Sequence, residues 1–113
     1  MICYPKCSTC QKAMKYLDLH HISYEVRNIK EEVPSKEELK EFLKKSSLDL
    51  HRFFNTSGMK YRQYHLKEKY PQMSEDEKLA LLASDGMLIK RPLLVTEDKV
   101  YVGFKEKEWS ELL

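Results

Sequence analysis

The sequence predicts one α/β domain: a mixed sheet flanked by helices, built as a βαβ half and a ββα half, with a helical insertion between them at about residues 35–85. Three observations carry this. Residues 1–29 pass from a short apolar run to helical spacing and then to strict alternation. Two capping boxes, Ser35 to Glu38 and Ser74 to Glu77, open helices in the middle of the chain. Two apolar runs between Leu93 and Val102 flank a polar turn, and a chain of 113 residues has the length of one domain.

The elements follow in order. Met1 to Tyr4 is a brief strand that stops at the Pro5-Lys6 turn. Ala13, Met14 and Leu17 recur at helical spacing, so a helix runs from Ser8 to about His20, with Cys7 at its N-terminus. Tyr24, Val26 and Asn28 alternate with Ser23, Glu25 and Arg27, which predicts a second strand over Ile22 to Ile29, parallel to the first through a right-handed crossover. Pro34 precedes the first capping box, and Leu39, Phe42 and Leu43 form the inner face of a helix that ends at Ser46-Ser47. A short helical piece is expected at Leu50 to Phe54, and Lys60 to Lys69 reads as a helix with a solvated basic face. The second box starts a helix through Leu79, Leu81 and Leu82 that Asp85-Gly86 stops. Leu93 to Thr96, the Glu97-Asp98-Lys99 turn and Val100 to Val102 form an antiparallel hairpin closed by Gly103. Lys105 to Leu113 is a final helix packed through Trp109 and Leu112.

Charge and composition narrow the function. Twenty Lys and Arg against eighteen Asp and Glu give a net charge of +2 with the signs interspersed, so there is no broad field for nucleic acid or anionic lipid. No apolar run approaches a membrane span. Met1-Ile2-Cys3-Tyr4 shows no basic segment, apolar stretch or cleavage site, so no secretory signal is expected and the expected location is the cytoplasm. A monomer is expected. All three cysteines lie within the first ten residues, which does not fit a disulfide framework.

Cys7-Ser8-Thr9-Cys10 places two thiols three residues apart where a strand gives way to a helix. Positions i and i+3 share a helix face, so Cys10 can reach the sulfur of Cys7 and resolve a mixed disulfide. Cys7 is the expected nucleophile because free N–H groups and the macrodipole at a helix start favour its thiolate, with the Thr9 and Cys10 N–H groups as donors and Lys6 nearby. Lowering a thiol from ~8.5 by about two units takes roughly 2.7 kcal/mol. A helix end supplies about 0.3–1 kcal/mol, or about 2 in favourable geometry. A second cation is therefore needed, and Arg91, before Pro92 and a predicted strand, is the candidate, with a cis Arg91–Pro92 bond as one way to bring backbone to the thiol. The bland alternative is that Cys7 and Cys10 are inert buried thiols. Cys3, inside the first strand, reads as a core thiol. A zinc site on the three cysteines lacks a histidine at ligand spacing, so no metal is expected.

Pro5-Lys6-Cys7-Ser8-Thr9-Cys10, Phe53-Phe54-Asn55-Thr56-Ser57-Gly58, Ser84-Asp85-Gly86-Met87-Leu88-Ile89-Lys90-Arg91-Pro92 and Val102-Gly103-Phe104 make the whole chain resemble the arsenate-reductase-related (ArsC/Spx) family of the thioredoxin-like superfamily. The resemblance implies a thioredoxin-like fold with a helical insertion. It also implies a nucleophile at Cys7, Arg91 beside a cis Pro92, and substrate contacts at Ser8, Thr9, Pro92 and Asn55. Glutaredoxin-coupled arsenate reductases of the family use one cysteine and three arginines. Cys7 and Arg91 match that set, whereas Asn55 and Gly103 stand at the other two arginine positions, with Arg52 or Lys60 as substitute cations. The likeness is thus closer to the small Spx/ArsC-like members. Spx-type regulators carry the same Cys-x-x-Cys switch and bind the RNA polymerase α subunit. Here Asp49 replaces the glycine of that contact, and the chain stops soon after Trp109. The resemblance implies a thiol-dependent reductase of arsenate or another oxidised substrate, with glutathione or another low-molecular-weight thiol as co-substrate, no bound cofactor, and a thiol reductant as a protein partner. The alternative it implies is a Spx-like redox-responsive regulator that binds RNA polymerase through a Cys7–Cys10 switch.

Overall fold

The computed structural model describes all of residues 1–113. In chain order the elements are β1 (Ile2–Cys3), α1 (Ser8–Leu19), β2 (Arg27–Asn28), α2 (Lys36–Ser46), α3 (Met59–Gln63), α4 (Leu66–Lys69), α5 (Glu75–Ser84), β3 (Leu93–Val95), β4 (Val100–Val102) and α6 (Glu106–Trp109). Single 3-10 turns at Leu50–Phe53, Tyr70–Gln72, Gly86–Leu88 and Ser110–Leu112 join them.

The four strands lie in the order β2-β1-β3-β4. β1 is parallel to β2, with Ile2 opposite Arg27, and antiparallel to β3, with Ile2 opposite Leu93. β3 and β4 form the expected hairpin, Leu93 facing Val102 and Val95 facing Val100. Successive strand residues point to opposite faces, which gives the sheet two cores. Ile2, Leu93, Val100 and Val102 pack against Leu39, Phe42, Phe54 and Leu79 of the insertion and against Ile29 and Leu88 beside it. Cys3, Leu94 and Tyr101 pack on the other face against Cys10, Ala13 and Leu17 of α1 and Trp109 of α6.

The two capping boxes form as the sequence predicts. The Ser35 hydroxyl accepts from Glu38 N–H at 3.1 Å and the Glu38 carboxylate from Ser35 N–H at 3.0 Å, and Ser74 and Glu77 repeat the arrangement. Glu38 is also held by the Arg27 guanidinium at 2.7 and 3.1 Å, while Arg27 donates to the Glu32 and Val33 carbonyls. This one side chain ties β2, the loop after it and the first turn of α2 together.

Three expectations need correction. The second strand is two residues long, because β1 offers only Ile2 and Cys3 as partners and the ladder ends with it. The preceding chain is held instead by the terminal amine donating to the Glu25 carbonyl at 2.6 Å, and Val26 is 46% exposed. The basic helix over Lys60 to Lys69 is two short helices broken at His65, whose φ is +53°. Tyr61 and Leu66 are both buried, yet five residues apart they would lie about 140° apart round a continuous helix; the break turns both inward. The C-terminal helix is only α6 plus a 3-10 turn, although Trp109 is fully buried as expected.

Gly86 seats the turn after α5 on the end of β2: a Cβ there would stand 2.1 Å from the Ile29 carbonyl oxygen. Gly86→Ala is expected to destabilise the fold by about 3 kcal/mol, read as a lower urea midpoint. Arg27 and the Ser35 N–H hold the Glu38 carboxyl down at about 2, against an ordinary 4.5. Its stabilisation is therefore complete above the unfolded value and is lost as pH falls through the folded one. Glu38→Gln keeps the capping box and is expected to cost about 1 kcal/mol above pH ~5, solvent screening allowed for. That difference should shrink between pH ~4.5 and ~2 and be absent below it.

Candidate functional site

The Pro5-Lys6 turn closes with Cys7 N–H donating to the Tyr4 carbonyl at 2.9 Å, which folds the start of α1 back over the end of β1. Cys7 is the N-cap residue of α1, in extended conformation, and its carbonyl accepts the first helical bond from Gln11 N–H at 3.0 Å. The N–H groups of Cys10 and Thr9 face the Cys7 sulfur without reaching capping geometry, so they act as oriented dipoles. Burial opposes ionisation of Cys7, but these N–H groups, the Cys10 thiol and the Arg91 guanidinium outweigh it and hold its pKa below that of an ordinary thiol. Cys10, three residues on, is fully buried, and burial pushes its thiol up to about 12. The helix thus presents one thiolate-forming sulfur to the surface and keeps the other protonated beneath it.

Arg91 reaches this place through a backbone clamp. Phe54 and Ile89 form an isolated antiparallel bridge, flanked by Asn55 N–H donating to the Leu88 carbonyl and Lys90 N–H to the Phe53 carbonyl, each at 2.7 Å. The Arg91–Pro92 bond is cis, and the Pro92 carbonyl accepts from Gly103 N–H at 2.9 Å. The Arg91 guanidinium also donates to the Met87 sulfur at 3.5 Å.

These segments enclose an open cleft of about 590 Å³. Cys7 and Thr9 form one wall, Arg52, Asn55, Ser57, Gly58 and Met59 a second, Lys90 and Arg91 a third, and the chain from Val102 to Lys105 a fourth. Four cations, Arg52, Lys90, Arg91 and Lys105, line it, and no carboxylate does. A low-dielectric concavity lined by one sign of charge concentrates anions.

Of the residues singled out from sequence, Cys7, Thr9, Asn55 and Arg91 are brought together in the cleft, with Cys10 underneath. Ser8 is exposed and Pro92 buried, and neither lines it. Arg52 is a cleft cation, whereas Lys60 lies outside the lining and pairs with Asp85 at 3.8 Å. Gly103 lines the cleft with φ at +78°, and the stem of Lys90 lies across it: a Cβ at Gly103 would be 3.3 Å from Lys90 Cε. Lys90, Lys105, Met59 and Phe104 were not foreseen as site residues; Lys90 and Phe104 stood within the motifs that carry the family resemblance, and Lys105 and Met59 had no such signal.

The ArsC family matches residues 3–112 of this chain. The uncharacterized protein YusI of Bacillus subtilis is 61% identical over 96% of this chain and 92% of its own. The regulatory protein MgsR of B. subtilis is 29% identical over 96% and 85%, and the global transcriptional regulator Spx of Listeria innocua 28% over 96% and 82%. Among solved structures, an ArsC family related protein from Bacteroides fragilis superposes with a TM-score of 0.96 at 50% identity, covering 99% of this chain and 94% of its own. An arsenate reductase from Vibrio cholerae does so with a TM-score of 0.85 at 27% identity, covering 99% and 96%.

The site geometry makes a direct prediction for thiol reactivity. Iodoacetamide added to the native protein should modify Cys7 alone, with a rate-against-pH midpoint below the ~8.5 of a free thiol. Arg91→Ala should move that midpoint upward; an unchanged midpoint would remove Arg91 from the account of Cys7.

Proposed function

The chain belongs to the ArsC family, and we propose that it is a thiol-dependent reductase in which Cys7 forms mixed disulfides that Cys10 or a small thiol resolves. The observation that carries this is the half-buried Cys7 sulfur, its pKa lowered, in a cleft with four cations and no carboxylate. The fold is the thioredoxin-like one of the family's arsenate reductases.

In this reading the Cys7 thiolate attacks one sulfur of an oxidised small thiol such as glutathione disulfide. The Cys7–sulfur bond forms as the substrate S–S bond breaks, and the electron pair leaves on the departing thiolate. Arg91 and the dipoles of the Thr9 and Cys10 N–H groups offset the negative charge shared by the sulfurs. A second thiol then attacks the mixed disulfide. Where Cys10 does so, a Cys7–Cys10 disulfide forms and the small thiol departs; where an external thiol does so, Cys7 is regenerated directly. Arsenate is a candidate substrate because the cleft presents Arg52, Lys90 and Lys105 beside Arg91 in place of arginines at Asn55 and Gly103.

A second reading is favoured by the 28–29% identity to MgsR and Spx over 96% of the chain: a redox-responsive regulator whose Cys7–Cys10 disulfide alters binding to a protein such as the RNA polymerase α subunit. Asp49, at the glycine position the regulator likeness singles out, accepts from His51 N–H at 2.9 Å and caps the Leu50–Phe53 turn.

Multiple-turnover reduction of a glutathione mixed disulfide, and separately of arsenate, with glutathione as reductant distinguishes the two. The reductase reading expects many equivalents consumed with no partner present and a loss of about 1,000-fold or more in Cys7→Ser. Cys10→Ser should slow turnover only where resolution is intramolecular. No turnover, together with a redox-dependent complex with RNA polymerase, would replace this reading with the regulator.

A further inference from the structure

The mechanism above leaves one thiol unused. Cys3 is fully buried in the same side-chain cluster as Cys10, and Cys7 packs against the edge of that cluster. The turn that donates Cys7 N–H to the Tyr4 carbonyl lays the first turn of α1 on the end of β1. Cys10 thus packs in one side-chain cluster with Cys3, and the Cys10 thiol bears on the ionisation of both Cys3 and Cys7. The three sulfurs do not converge as a metal-ligand set. Cys3 and Cys10 lie inside the cluster and Cys7 at its edge.

We propose that Cys3 is a third redox thiol, which takes over Cys10 from the Cys7–Cys10 disulfide and so returns Cys7 to its reactive form inside the protein. The proposal rests on the reductase reading for its first step, the oxidation of Cys7 by a low-molecular-weight disulfide. The Cys3 sulfur attacks the Cys10 sulfur; the Cys3–Cys10 bond forms, the Cys7–Cys10 bond breaks, and the electron pair leaves on Cys7. The Cys3 proton passes to Cys7 or to solvent, and no further oxidant or reductant is consumed.

Thiol chemistry sets the direction. The sulfur that best carries a negative charge is the better leaving group, and a stabilised thiolate makes its own disulfide the more easily reduced one. Cys7 is that sulfur, while burial raises both Cys3 and Cys10. The same raised value makes Cys3 a slow attacker, so the exchange follows the Cys7–Cys10 step with a delay. After it, Cys7 is again exposed to the cleft and can take a second small thiol that no neighbouring sulfur is free to remove.

The sequence makes the test simple, because tryptic cleavage after Lys6 and Lys12 separates Cys3, in residues 1–6, from Cys7 and Cys10, in residues 7–12. The protein is oxidised with excess glutathione disulfide over a time course, quenched with acid, alkylated under denaturing conditions and mapped without reduction. The expected result is early loss of free Cys7, a transient looped 7–12 peptide, then a cross-link between 1–6 and 7–12 with Cys7 alkylated or carrying glutathione. Cys7→Ser should abolish the cross-link, and Cys3→Ala should stop the course at the looped peptide. A looped peptide that persists in the wild type, with Cys3 fully alkylated, overturns the proposal and leaves the reductase reading standing. A cross-link that survives in Cys7→Ser overturns the route through Cys7. No oxidation of Cys7 at all overturns both.

Discussion

The antiparallel contact of Phe54 with Ile89 is the constraint on which the site depends. Two backbone bonds of 2.7 Å flank it, and through them the helical insertion is joined to the chain that leads into β3. Phe53, Phe54, Leu88 and Ile89 are all buried there, which shields the bridge from water. Arg52 and Asn55 emerge on one side of it and Lys90 and Arg91 on the other. The cleft is the space between those side chains, the start of α1 and the chain after β4.

The second organising feature is the difference between two cysteines three residues apart. Cys7 stands outside the first turn of α1, where N–H dipoles and Arg91 reach its sulfur; Cys10 stands inside it, over the sheet, where burial dominates. Electrostatics thus separates a thiol that ionises more readily from one that stays protonated within one turn of helix. The short central strand extends the logic, since alternation along Ile2-Cys3 sends Ile2 into the insertion-side core and Cys3 into the α1-side core beside Cys10.

The identity of the cleft cations bears on substrate choice. Asn55 and Gly103 stand where arginines are expected from the family's glutaredoxin-coupled arsenate reductases. Gly103 leaves room for the Lys90 stem, and Arg52, one turn before Asn55, brings a guanidinium to the same rim. The rim therefore carries two planar guanidinium forks, Arg52 and Arg91, and two flexible ammonium groups, Lys90 and Lys105.

The capped helices and their starts were legible in the sequence because their signals are local. A capping box satisfies its own N–H groups within four residues, and Ser35 and Ser74 do so as read. Cys7 at a helix start and the Leu93–Val102 hairpin rest on equally short-range rules. The length of β2 was not legible, because a strand extends only as far as its neighbour and β1 has two paired residues. The break at His65 was hidden for a related reason: Tyr61 and Leu66 turn inward to meet the core, a demand that spacing alone does not express. Ser8 and Pro92 fell outside the cleft, and Lys90 and Lys105 fell inside it, since its walls come from four separated segments. By itself the sequence determined the α/β class, the starts of the capped helices, the place of Cys7 at a helix start and Cys7 with Arg91 as candidates. The tertiary structure decided which cations share a cleft, which thiols are buried and which share a core. Those properties depend on distances between segments that only packing brings together.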